Sequence, residues 1–173
     1  MFWKAVPAGR LTHADKTMGK KYWLLKSEPS AYGIEDLAKE SGQTTHWDGI
    51  RNYQARNIMR DEMEPGQLAF FYHSNAPETG VVGIVEIVRS AYPDHTAFDP
   101  KSKYHDPKSN PDDPRWLMVD VRLRETFPRT ITLQELRDVP GLDDMMLLRR
   151  GARLSIQPVS PEEWEIIVKR AAD

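Results

Sequence analysis

Six consecutive residues, Trp47-Asp48-Gly49-Ile50-Arg51-Asn52, set an indole, a carboxylate, a guanidinium and a primary amide around one glycine. Aromatic faces can sandwich a flat heterocycle, while hydroxyl and amide groups read its hydrogen-bonding edge. A glycine lets backbone approach such a ligand with no Cβ in the way. Similar residue types recur elsewhere. Ser27 and Glu28 end the run YWLLKSE, Ser74 and Asn75 follow the aromatic run FFYH, and Tyr104 lies in KSKYHDP. The chemistry these groups can do is noncovalent capture of a planar heterocycle. Plain core packing is the competing explanation for every aromatic. Trp23 and Trp164 read as core, Tyr72 suits either role, and Trp47, between His46 and Asp48, reads as pocket.

Cations come in two groups. Arg51, Arg56 and Arg60 recur along one expected helix, and Arg149, Arg150 and Arg153 form a second basic cluster. Arg56, Arg60, Arg149 and Arg150 are candidate phosphate contacts, which would position a nucleic acid without reading its sequence. The competing reading is a solvated helix face offset by Asp61, Glu62 and Glu64.

Signatures of catalysis are missing from the sequence. There is no GxGxxG motif, no P-loop and no GxSxG elbow. His13, His46, His73, His95 and His105 do not pair at i, i+4 on a helix, and the acids and histidines between Asp94 and Asp113 match no zinc-ligand spacing. Ser27–Glu28 and Ser74–His73 could be imagined as nucleophile and base, but adjacent strand residues point to opposite faces. No catalytic residue, metal ligand or cofactor is assigned.

The elements that must position these groups follow from pattern. KYWLLKS, QLAFFYHS, GVVGIVEIVRSAY, WLMVDVRLRETF and RLSIQPV read as strands, rich in aromatic and β-branched residues. In the fourth, Leu117, Val119, Val121 and Leu123 alternate against Asp120, Arg122 and Arg124. IEDLAKE reads as a short amphipathic helix. RNYQARNIMRDEM suits another, stopped by Pro65-Gly66, with His46 to Asn52 as site and Tyr53 to Asn57 as the helix that supports it. Thr132-Leu-Gln-Glu135 and Ser160-Pro-Glu-Glu163 both fit capping boxes, and Trp164, Ile167 and Val168 share one face of the last helix. Residues 93–115 hold five prolines and read as one long loop. Mixed strands and short helices without a βαβ repeat imply an α+β fold.

Length and composition bound the rest. At 173 residues the chain predicts a single domain over residues 20–173, with residues 1–19 as an N-terminal extension lacking a clean period. No cysteine is present, and no apolar run approaches the length that crosses a bilayer, so no membrane partner is expected and a cytoplasmic location is. The net charge of −2 argues against tracking along a phosphate backbone, so any nucleic-acid affinity must come from a pocket and a local basic patch.

YWLLKSEP (22–29), WDGIRNYQARN (47–57), FFYHSN (70–75), FDPKSKYHDPKSNPDDPRWLMVDV (98–121) and LLRRGARLSIQPVS (147–160), in this order, resemble the EVE-domain family across residues 20–170. The resemblance implies a PUA-like fold, a twisted, mostly antiparallel β-barrel flanked by short helices. It also implies a non-catalytic reader that takes a modified base, a modified cytosine or similar, of DNA or RNA into a pocket. Carried over by position, that pocket draws on Ser27, Glu28, Trp47, Gly49, Arg51, Asn52, Ser74 and Tyr104. Trp47 would supply a stacking wall, Asn52 and Ser74 would read polar edges, and Arg51 would pair with Glu28 or meet a phosphate. Stacking contributes roughly 1–3 kcal/mol per base and extrusion of a paired base costs a few kcal/mol, so a single-stranded or weakly paired base is the expected target. Two alternatives remain at this level: a nucleotide- or RNA-processing hydrolase using the same pocket, and a module that binds free nucleosides. A monomer is the expected state.

Overall fold

The computed structural model describes residues 20–173, so the expected extension over residues 1–19 lies outside the described residues. Six strands form one sheet: β1 (Tyr22–Ser27), β2 (Thr44–Trp47), β3 (Leu68–His73), β4 (Gly80–Pro93), β5 (Leu117–Thr132) and β6 (Ile156–Val159). Their order is β2-β5-β4-β3-β1-β6. Four helices accompany them: α1 (Ile34–Lys39), α2 (Tyr53–Asp61), α3 (Leu133–Arg137) and α4 (Pro161–Ala171).

The α+β class holds, but the sheet does not close into a barrel. β2 and β6 are its edges, each four residues long. β2 ends at the Asp48-Gly49 turn, where Gly49 has φ +78°. β6 carries Pro158, which has no N–H to donate and suits an edge. The sheet is also mixed, because β1 runs parallel to β3 while every other pairing is antiparallel. β4 and β5 pair along almost their whole length, with register shifts at several points. At one of them Gly83 lies so close to Glu125 that a Cβ would sit 2.3 Å from its carbonyl oxygen. Such bulges bend the long ribbon and add twist.

Both faces of the sheet are covered, which explains why its central strands read as nearly continuous apolar runs. Trp23 and Leu25 of β1, with Ala69 and Phe71 of β3, pack on one side against Ile34 and Leu37 of α1 and Ala55, Ile58 and Met59 of α2. Tyr22 and Leu24, with Phe70 and Tyr72, pack on the other side against Leu136 of α3 and Trp164 and Ile167 of α4. Trp164 stacks on Tyr22 at 4.4 Å and on Phe70 at 4.0 Å between ring centroids. Trp23, Trp164 and Tyr72 are therefore core. In β5, Val119 and Val121 are buried while Arg122 and Arg124 are exposed, as the alternation predicts.

The caps divide. Ser160 and Glu163 form the reciprocal box, with Pro161 in the first turn. Thr132 accepts from Glu135 N–H, but the Glu135 carboxylate does not reach back. It is taken instead by Arg129 and Arg170, each at 2.7 Å, and hydrogen bonding from Arg129 and Arg170 holds its pKa down to about 2.

At the start of α1 the Ile34 N–H donates to His73 Nε2 at 3.1 Å. That nitrogen must be unprotonated to accept, and burial pushes the His73 pKa below its ordinary value. A depressed imidazole pKa means that the unfolded chain binds the proton first, so stability is full above pH ~6.5 and falls as the pH drops through the folded pKa. Urea midpoints from pH 7.5 to 5 are expected to fall more steeply for the parent than for His73→Gln, whose amide does not titrate. Parallel profiles would refute the assignment.

Candidate functional site

A cavity of about 1130 Å³ opens where the C-terminal ends of β1 and β3, the end of β2 with the turn that follows it, and the segment before β6 meet the proline-rich loop. Its walls include Ser27, Glu28, Trp47, Gly49, Ser74 and Tyr104 of the sequence-predicted set. Arg51 and Asn52 are not on its wall.

The KSEP segment reaches the cavity because β1 ends in a turn. Tyr32 and Ala31 N–H groups donate to Glu28 O, and Ser27 Oγ donates to Tyr32 O at 2.6 Å. Ser74 N–H donates to Ser27 O, tying the ends of β1 and β3 together. Asn75, at φ +48°, donates its amide to Glu28 Oε1 at 2.7 Å. The Ser27 hydroxyl and His73 Nε2 are thus each engaged in a structural hydrogen bond.

The WDGIRN segment is anchored by Asp94, whose carboxylate is fully buried. It accepts from Gly49 N–H at 2.9 Å, Arg51 Nη1 at 2.9 Å, and the Thr96 amide and hydroxyl. Burial alone would raise its pKa, but the bonds from Thr96, Gly49 and Arg51 outweigh burial and hold it low. Arg51 also donates to Tyr104 O through Nε and Nη2, at 2.9 and 2.6 Å. It therefore pairs with Asp94 rather than Glu28, and its role is to staple the loop to the turn. Asn52 caps α2, accepting from Ala55 N–H at 3.0 Å, so the helix begins at Tyr53 as the sequence implies. Its carbonyl is spent on that cap.

Gly49 is required on two counts. Its φ is +78°, and a Cβ there would lie 2.6 Å from Cζ of Tyr104. The closeness foreseen for a ligand is thus taken up by the Tyr104 ring, which lies against the glycine. Trp47 is only 7% exposed, with Phe71 edge-on at 5.3 Å between centroids, so it is a core side chain that also borders the cavity.

The loop at 93–115 is ordered by its own side chains. Asp94, Asp99, Asp106 and Asn110 each accept from the amide two residues on, which is the Asx-turn habit of these residues. Asp106 also accepts from Trp116 Nε1 at 2.7 Å.

Several wall residues were given no role from the sequence, namely Lys26, Tyr32, Asp48 and Lys103, whereas Asn75 had been read beside Ser74 and Arg153 within the second basic cluster. Asp48 sits inside a motif already singled out, so that signal was available. Burial, and then the charge of Asp94, raise the Asp48 pKa, and His46 lies 3.5 Å from its carboxylate. Burial lowers that of Lys26. Of the phosphate candidates, Arg60 is bound to Asp61 at 2.7 Å. Arg56 donates to Asn57 Oδ1 and to Arg115 O. Arg149 donates to Asp144 O, and Arg150 is exposed. None of the four lines the cavity, whereas the cations of Lys26, Lys103 and Arg153 do. Among the described residues no group of three His, Cys, Asp or Glu side chains is placed to hold a metal ion, and no helix is long and apolar enough to cross a membrane.

Comparison with known proteins places this architecture. The EVE domain matches residues 21–170. Thymocyte nuclear protein 1 of Danio rerio is 49% identical over 163 residues, spanning 84% of this chain and 70% of that protein. A crystal structure of a Pseudomonas putida protein superposes with a TM-score of 0.82 at 49% identity, covering 87% of this chain and 99% of the other. Human THYN1 protein, solved in complex with 5-methylcytosine-containing DNA, superposes with a TM-score of 0.83 at 42% identity, covering 89% and 99%. The family match, the relative's identity and the two superpositions agree over most of the described residues, and the chain belongs to the EVE-domain family.

Proposed function

We propose that the protein is a non-catalytic reader of modified cytosine in nucleic acid, and that the base enters the cavity between the KSEP turn, the WDG turn and Tyr104. The observation that carries this reading is the close relationship, over nearly the whole described chain, to the human protein solved on 5-methylcytosine-containing DNA.

The wall chemistry supports it. Asp48 presents a half-buried carboxylate to the cavity, and a carboxylate can accept from the exocyclic amine of cytosine, a donor that thymine lacks. Trp47, Tyr32 and Tyr104 supply aromatic surface on the same wall. Lys26, Lys103 and Arg153 set positive charge there, enough to meet the phosphates beside one captured base though not a long backbone track.

A single-stranded DNA with one 5-methylcytosine should bind about fourfold or more tightly than its cytosine counterpart, since burying one methyl contributes ~0.8 kcal/mol. Fluorescence anisotropy of the two labelled strands measures the ratio. Equal affinities would overturn the reading. Mass spectrometry of the recovered strand after long incubation should return it intact, and cleavage or base conversion would favour an enzyme instead.

A further inference from the structure

Two hollows meet at one arginine. Beside the site cavity lies a second hollow of about 350 Å³, which shares Ala152, Arg153 and Ser155 with it and takes Asn52 and Gln54 from the start of α2. Its size falls at the low end of ligand pockets, ~300–1,000 Å³. Among the described residues no aromatic side chain lines it.

The segment that the two hollows share is irregular but fixed. Ala152 O accepts from Lys26 Nζ at 3.4 Å, Leu154 O from the amide of the buried Gln157 at 2.9 Å, and Ser155 O from Lys26 N–H at 2.9 Å. These carbonyls tie the segment to β1 and β6, and the exposed Arg153 side chain stands between them on the wall of both hollows.

The other charged groups of the cavity are engaged. Glu28 accepts from Asn75, Glu40 accepts from Tyr32, and Asp48 lies 3.5 Å from His46. Lys26 is spent on Ala152 O, and Lys103 lies 4.9 Å from the centroid of the Tyr104 ring. Arg153 makes no hydrogen bond or ion pair among the described residues. A merely solvated arginine would also be unpaired, but this one is held at the junction of two concave walls. A guanidinium there presents a planar fork that matches phosphate oxygens. Within the second hollow the Gln54 amide is likewise without a partner among the described residues, and Asn52 spends only its carbonyl on the cap of α2.

We propose that a single strand passes from the cavity into this second hollow, with Arg153 on the phosphate that links the captured nucleotide to its neighbour. This rests on the base-capture reading. The neighbour is held by that phosphate and by hydrogen bonds from Asn52 and Gln54, so the second hollow adds affinity and fixes the direction of the strand.

Methylphosphonate linkages, which remove the charge of one phosphate, test the contact in a two-by-two cycle. Parent and Arg153→Gln are measured by fluorescence anisotropy against short single strands carrying one 5-methylcytosine, with the linkage on its 5′ or its 3′ side neutralised in turn. In the parent one of the two neutralisations should weaken binding about tenfold, the size of a hydrogen bond to a charged group. Arg153→Gln should already bind the intact strand about tenfold less tightly, and the same neutralisation should then change its affinity less than about twofold. No effect of either linkage, equal affinity of parent and Arg153→Gln, or two losses that simply multiply would overturn the phosphate contact while leaving base capture standing. Arg150 is exposed and lines neither hollow, so Arg150→Gln should bind like the parent. A matching loss there would reduce the effect to general attraction and overturn the contact as well. A strand that ends at the contacted phosphate should bind about threefold less tightly than one a nucleoside longer, as for the loss of one hydrogen bond. Equal affinity of those two strands would overturn occupancy of the second hollow. A parent that does not prefer 5-methylcytosine over cytosine would overturn base capture, and this crossing with it.

Discussion

Asp94→Ala should lower the free energy of unfolding by about 3–5 kcal/mol, the cost of removing one partner from a buried ion pair. A domain is stable by only ~5–15 kcal/mol in total, so the loss should be plain as a reduced midpoint in urea. The size follows from how many groups rely on one carboxylate. Gly49 N–H, Arg51 Nη1 and the Thr96 amide and hydroxyl all donate to it. Removing it leaves the Arg51 guanidinium, 22% exposed, without its counter-charge, and strands an amide in the turn that shapes the cavity. Base binding should fall with it, because Gly49 and Tyr104 are set against each other through this hub. The carboxylate's pKa is held down, so its stabilisation is present above the ordinary aspartate value of about 3.9 and is lost as pH falls through the folded value. The stability gap between the parent and Asp94→Asn should accordingly shrink in acid. An Asp94→Ala protein within 1 kcal/mol of the parent would remove the hub from the account.

Trp47→Ala should be almost as costly, about 3–5 kcal/mol, as befits the loss of a large aromatic from a packed core. Trp47 is nearly enclosed and meets Phe71 edge to face, so this variant cannot be read as a simple deletion of a stacking wall. Ile87→Ala is the proper control. Ile87 is fully buried in the same core cluster, does not line the cavity, and should cost a comparable ~2–5 kcal/mol. If Trp47 faces the base as proposed, Trp47→Ala loses the preference for 5-methylcytosine at a temperature where both variants are folded, and Ile87→Ala keeps it. Loss of the preference in both would make Trp47 a packing residue whose effect on binding is indirect.

The contrast between these two residues marks where sequence reasoning reaches and where it stops. Trp47 was legible as a site residue because it stands in a cluster of polar and aromatic types, yet its burial depends on Phe71, 24 positions away. Asp94 was read as one acid of a long loop. Nothing near it in the chain reveals that it meets Gly49, 45 residues earlier. Of the two roles expected of Arg51, pairing with Glu28 or meeting a phosphate, the first gave way to Asp94 for the same reason, since the choice between two carboxylates was made by the path of the 93–115 loop.

The sequence by itself determined what rests on neighbours a few positions apart. The apolar runs of β1, β3 and β4, the alternation in β5, the Ser160–Glu163 box and the start of α2 at Tyr53 all follow from local periodicity and capping chemistry. It also carried the identity of the segments that border the cavity. Only the tertiary structure decided that the sheet stays open with β2 and β6 at its edges, that Arg51 serves the turn rather than the pocket, and that Tyr53 stands exposed on Trp116. Those outcomes depend on contacts spanning tens of residues. The side chains that make such a contact leave no periodic trace in either segment, because the contact exists only once the intervening chain has found its path.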